Sequence, residues 1–82
     1  MNPTKFVFQN DLFFRNFRYL KEKYCLYRRA LGRLLHMSVY AIEDMEKNRW
    51  GDELELQTLL RICQIFNTEL NDMISKDLSR EV

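Results

Sequence analysis

The sequence predicts an all-α domain of five helices preceded by a short extended arm. Three observations carry that expectation. Apolar residues recur at spacings of three and four in five separate stretches, the pattern of amphipathic helices. Only two glycines and one proline occur in 82 residues, too few for the tight turns of a β fold. Hydrophobic residues make up 46% of the chain and aromatic residues 13%, enough for one compact core in a chain of this size. The expected division is an N-terminal arm over 1–10, a helical domain over 11–75 and a flexible tail over 76–82.

Lys5-Phe6-Val7-Phe8-Gln9 has strand propensity. A lone strand is not stable by itself, so this arm is expected to dock on the helices, pair across a dimer or stay loose. Asn10 or Asp11 can N-cap the first helix. Phe13, Phe17, Leu20 and Tyr24 form its apolar stripe, with Arg15, Arg18, Lys21 and Glu22 projecting elsewhere. Phe14 lies off that stripe and marks a second contact surface.

The second helix is expected over 27–35, with Leu26, Ala30, Leu31 and Leu34 on one face. Gly32 in its middle costs roughly 1 kcal/mol against alanine, which suggests the close approach of the third helix. That third helix, Val39–Glu46, follows Ser38 as N-cap and turns Val39, Ile42 and Met45 inward. Asn48 suits the left-handed position after a helix. A loop over 49–53 holds Trp50, expected as a lid on the core because of its large apolar area. The fourth helix covers 55–66 with Leu56, Leu59, Leu60, Cys63 and Phe66 inward, and Asn67 ends it. The fifth covers 69–75, capped by Thr68, with Leu70, Met73 and Ile74 inward. The second and third helices are separated only by His36-Met37-Ser38. So short a link forbids an antiparallel pair and imposes a steep crossing, the helix-turn-helix geometry whose second helix can enter a DNA major groove.

The net charge of +1 conceals an asymmetry. Between Arg15 and Arg33 stand seven bases and one acid, whereas from Glu43 onward there are five bases and ten acids. A basic half facing phosphates is one reading and two solvated faces of opposite sign the other. Charged residues make up 30% of the chain and no apolar run approaches about 20 residues, so no membrane span is expected. The start MNPTKFVFQND does not read as a secretory signal, and a cytoplasmic location is expected. Cys25 and Cys63 lack metal-ligand spacing and read as buried small hydrophobes. One histidine and two scattered cysteines make neither a nucleophilic triad nor a metal cage. The acidic pairs Glu43-Asp44 and Glu53/Glu55 come with no sign of a pocket. No enzyme activity, cofactor or metal is expected.

From Phe17 to Ile74 the chain resembles the Cro/repressor-type helix-turn-helix domains, the xenobiotic-response-element family. The residues that carry the resemblance are Leu20-Lys21, Leu26, Leu31-Gly32, Met37-Ser38, Ile42, Met45-Glu46 with Lys47-Asn48, Thr58-Leu59-Leu60, and Phe66-Asn67 through Met73-Ile74. Departures are Tyr27 for a capping Ser or Thr, Arg28 for a Gln, His36 and Asn48 for glycines, and Leu54 for a proline.

The resemblance implies a five-helix lambda-repressor-like domain with the third helix as recognition helix. Val39, Tyr40, Glu43 and Asp44 would face bases and Ser38 the backbone, while Arg28, Arg29 and Lys21 would anchor phosphates. The function implied is sequence-specific transcriptional regulation by a homodimer on a palindromic double-stranded site. The dimer surface would be the fifth helix with the tail, or the Phe6–Phe8 segment. The reading helix is acidic for that task, with three acids and one base from Ser38 to Lys47. The same fold could instead serve as a protein-interaction module, an antitoxin, antirepressor or adaptor, through acidic helix 3, Tyr40, Phe6, Phe8 and Phe14.

Overall fold

The computed structural model describes residues 11–49 and 55–80. These form five α-helices, α1 (Asp11–Lys23), α2 (Arg28–Leu35), α3 (Val39–Glu46), α4 (Leu56–Ile65) and α5 (Leu70–Ser75), followed by a 3-10 turn at Leu78–Arg80. No strand occurs among the described residues. The expectations for the arm over 1–10, the Trp50 lid and Leu54 lie outside them.

Helix α1 packs against α3, α5 and the 3-10 turn, α2 against α3 and α4, and α4 against α5. Phe13, Phe17, Leu31, Ile42, Met45, Leu59, Ile62 and Met73 are fully buried at the centre. Because α1 meets three elements, it buries a wider arc than one stripe. Phe14 therefore joins the core edge-on to Phe13, with 5.8 Å between ring centroids, instead of offering a second surface. Tyr24, expected inside, is half exposed and stacks on Phe66 at 6.0 Å.

Two helices are rotated from their expected faces. In α2 the inward residues are Leu31, Gly32 and Leu35. Turning Gly32 inward swings Ala30 and Leu34, each two residues away and so about 160° round the helix, to the outside. In α4 the inward set is Leu59, Ile62 and Cys63, continued by Phe66, which leaves Leu56 and Leu60 exposed. The periodic signal in both helices was wider than the face the core takes up.

The close approach at Gly32 is real, but its partner is the backbone of the turn. A Cβ built on Gly32 would lie 2.8 Å from the carbonyl oxygen of Met37. The Met37 amide donates back to the Gly32 carbonyl at 2.9 Å. Ser38 caps α3 as its sequence position predicts, its Oγ accepting from the Ala41 amide at 3.1 Å. The residue before α5 is Glu69 and not Thr68, and it makes no side-chain cap.

Left-handed residues follow four of the helices: Cys25 (φ 54°), His36 (φ 55°), Asn48 (φ 60°) and Asn67 (φ 52°). After α3 the Asn48 amide bonds the Met45 carbonyl and the Arg49 amide bonds the Asp44 carbonyl, the paired bonds of a Schellman ending. The same pair closes α1, with Cys25 bonding Glu22 and Leu26 bonding Lys21, and α4, with Asn67 bonding Gln64 and Thr68 bonding Cys63. Cys25 is therefore exposed in a turn, not buried in a helix; Cys63 is buried. Asparagine tolerates this backbone well and histidine less so. We expect His36→Gly to raise stability by about 0.5–1 kcal/mol, because it removes left-handed strain at an exposed site. Chemical denaturation measures it.

The segment after α5, expected to be frayed, is anchored through residue 80. Asn16 is fully buried on α1 and its amide donates to the carbonyls of Met73 (2.8 Å) and Lys76 (2.6 Å). Its Oδ1 accepts from the Leu78 amide at 2.9 Å. One side chain thus satisfies the end of α5 and the start of the 3-10 turn together, as a buried amide must.

Candidate nucleic-acid interface

Helix α3 presents two sides. Ala41, Ile42 and Met45 are buried; Val39, expected to turn inward with Ile42 and Met45, lies outside, because Ala41 takes its place on the core side. On the opposite side, within about two fifths of the helix circumference, stand Val39, Tyr40, Glu43, Asp44 and Lys47. Tyr40 is 74% exposed and Val39 42%, and the carboxylates of Glu43 and Asp44 are partly exposed beside them. The four side chains singled out for bases thus share one outward surface, and Ser38 lies at its N-terminal end, bound to the helix it caps.

The acids on α3 are matched by cations brought in by the fold. Lys47 bonds Glu43 at 3.0 Å one helical turn away, and its hydrogen bond and charge hold the Glu43 carboxyl below its usual range. Arg49 lies 3.7 Å from Asp44. Glu46 is bound by Lys21 from α1 at 3.0 Å and by the Arg28 guanidinium from α2. Burial alone would raise the Glu46 carboxyl, but hydrogen bonds from Arg28 and Lys21 and their positive charge hold it below the usual glutamate range. Arg18 adds a third tie at Glu46, donating to its backbone carbonyl at 3.1 Å and to the Asn48 side chain. A guanidinium at this end of the helix also meets the negative pole of its dipole.

These contacts sort the expected phosphate anchors. Lys21 is 8% exposed with its ammonium on Glu46, which leaves it no free face for a phosphate. It serves to join α1 to α3. Arg28 is half exposed and shares Glu46. Arg29 is exposed and pairs with no acid among the described residues, and the same is true of Arg33 one turn along α2. Spacing on α2 could have shown the Arg29–Arg33 pair, four residues apart with Ala30 between them. No local spacing shows the Glu46 cluster, because its partners lie 18 and 25 positions away in the chain.

A groove of about 330 Å³ runs beside the α2–α3 turn, lined by Leu35, His36, Met37, Glu55, Gln57, Thr58 and Arg61. Among the described residues no three His, Cys, Asp or Glu side chains group as metal ligands, and no helix is long and apolar enough to cross a membrane. No family model, no curated protein and no solved structure matches the chain.

Proposed function

We propose that the chain is a sequence-specific binder of double-stranded DNA, a transcriptional regulator of the Cro/repressor type acting as a homodimer on a palindromic site. In this reading α2, the three-residue turn and α3 form a lambda-repressor-like helix-turn-helix with α3 in the major groove. The observation that carries it is the outward surface of α3. Its exposed Val39 and Tyr40 stand beside acids whose charges are already met by Lys47 and Arg49, and α2 carries Arg29 and Arg33, which pair with no acid among the described residues. Paired acids repel phosphates less than free ones, which reduces the objection to an acidic reading helix. Val39 can meet a thymine methyl, Tyr40 can donate to a base or phosphate, and Glu43 or Asp44 can accept from cytosine N4. Arg29 and Arg33, with the exposed edge of Arg28, would follow the phosphate backbone.

The reading as a protein-interaction module loses one of its supports, since Phe14 is buried. Two substitutions separate base reading from backbone attraction. Arg29→Ala should weaken binding to every duplex alike and lower the salt slope by about 1. Tyr40→Ala should change the preferred sequence while leaving the salt slope nearly unchanged. Fluorescence anisotropy on matched and mismatched duplexes measures both. Affinity unmoved by either substitution would reject this surface.

A further inference from the structure

We infer that Asp44 selects cytosine: its carboxylate accepts from the N4 amine of a cytosine in the groove that α3 reads, so the bound sequence carries a C·G pair fixed at that position. The inference rests on the DNA reading above and goes past it by naming the base and the side chain that chooses it.

The outward side of α3 holds a restricted set of groups. Val39 is apolar, Tyr40 is a phenol, Glu43 and Asp44 are carboxylates and Lys47 is the one cation. None is an arginine, the commonest partner of guanine, and none is an asparagine or glutamine, the partners of adenine. The one cation is taken, since the Lys47 ammonium bonds Glu43 at 3.0 Å. What the surface has to spare is acceptors. An ionised carboxylate accepts hydrogen bonds and donates none. In the major groove guanine shows two acceptors, thymine an acceptor and a methyl, and adenine a donor beside an acceptor. Cytosine shows a donor alone. A carboxylate therefore meets an acceptor on three of the bases and only a donor on the fourth.

Two carboxylates compete for this role, and their contacts separate them. Glu43 Oε1 already accepts from Lys47. Asp44 has only the ion pair with Arg49, whose 3.7 Å is too long for a hydrogen bond. Among the described residues its carboxylate thus accepts no hydrogen bond, and its side chain is 39% exposed. Asp44 keeps its lone pairs open on the outward side, while Arg49 offsets the charge that nearby phosphates would repel. Tyr40 stands one turn before it on the same ridge, and its hydroxyl can donate as well as accept, so it sets no preference against cytosine.

Asparagine keeps the shape of aspartate and turns one acceptor into a donor, the pair of groups that suits adenine N6 and N7. The test is selection from random duplexes with the full chain, wild type and Asp44→Asn side by side. Wild type should enrich sites with an invariant cytosine in each half, and Asp44→Asn should exchange that cytosine for adenine and keep the other positions. In fluorescence anisotropy, changing the C·G pair to T·A should weaken wild type roughly 5- to 150-fold and leave Asp44→Ala nearly indifferent. Circular dichroism should show both variants folded, since the side chain lies on the exposed side. An Asp44 that only supports α3 would shift affinity for every duplex alike and leave base preference intact. Enriched sites without a fixed cytosine, or an unchanged preference in Asp44→Asn, would overturn this inference and leave the DNA reading standing. A wild-type pool with no enrichment and no salt-dependent binding would overturn both.

Discussion

Replacing Gly32 with alanine destabilises the protein by about 1–3 kcal/mol, where an open helical position would gain about 1 kcal/mol from the same change. The reason is local and geometric. The added methyl would lie 2.8 Å from the Met37 carbonyl oxygen, a distance real Cβ atoms do not adopt. That oxygen belongs to the backbone of the turn, so it cannot rotate away as a side-chain end would. The Met37 amide is already bound to the Gly32 carbonyl, and Ser38 fixes the next residue at the start of α3. Relief therefore requires α3 to move relative to α2. Ala30→Gly on the exposed side of the same helix is the control, expected to cost only about 1 kcal/mol. Urea unfolding of both variants reads the contrast, and a stabilised Gly32→Ala protein would refute the contact.

Glu46→Gln is the second large effect, a loss of about 2–4 kcal/mol, somewhat under the 3–5 kcal/mol of a fully buried pair. Glu46 receives the Lys21 ammonium and the Arg28 guanidinium, so it joins α1, α2 and α3 at one carboxylate. Neutralising it leaves Lys21 charged and nearly buried with its partner gone. The sign with pH follows from the lowered Glu46 carboxyl. A carboxyl whose pKa is lower in the folded state contributes stability above its unfolded value, 4.5, and loses that contribution as pH falls through the folded value. The gap between wild type and Glu46→Gln should therefore be full at neutral pH and shrink below about pH 4.5. Thermal unfolding from pH 3 to pH 7 measures it. A gap that does not change with pH would show that the carboxylate charge is not what holds α3.

How much of this was legible in the sequence divides by the range of the interaction. Ser38 as cap, Asn48 as a left-handed ending, Asn67 as the stop of α4 and the crowding at Gly32 are local, and the chain states each within a few residues. The core side of α3 was legible in part: Ile42 and Met45 are inward as their spacing says, while Val39, expected beside them, is exposed and Ala41 takes its place. The faces of α2 and α4 were not. Each has more apolar residues than the core can cover, and only packing decides that Leu35 and Ile62 go in while Leu34, Leu56 and Leu60 stay out. Asn16 sits within the Phe13–Leu20 stripe, a polar residue on an apolar face, and that placement was the available signal of a buried anchor for the segment past α5. The Glu46 cluster joins residues from three helices, and no short window of sequence contains it.

The proposal that α3 reads a groove is tested most directly by selecting binding sites from a pool of random duplexes with the purified chain. A groove-reading α3 in a homodimer would enrich a two-fold symmetric sequence, bound with an affinity that falls steeply with salt. An unenriched pool, together with no salt-dependent duplex binding, would contradict it.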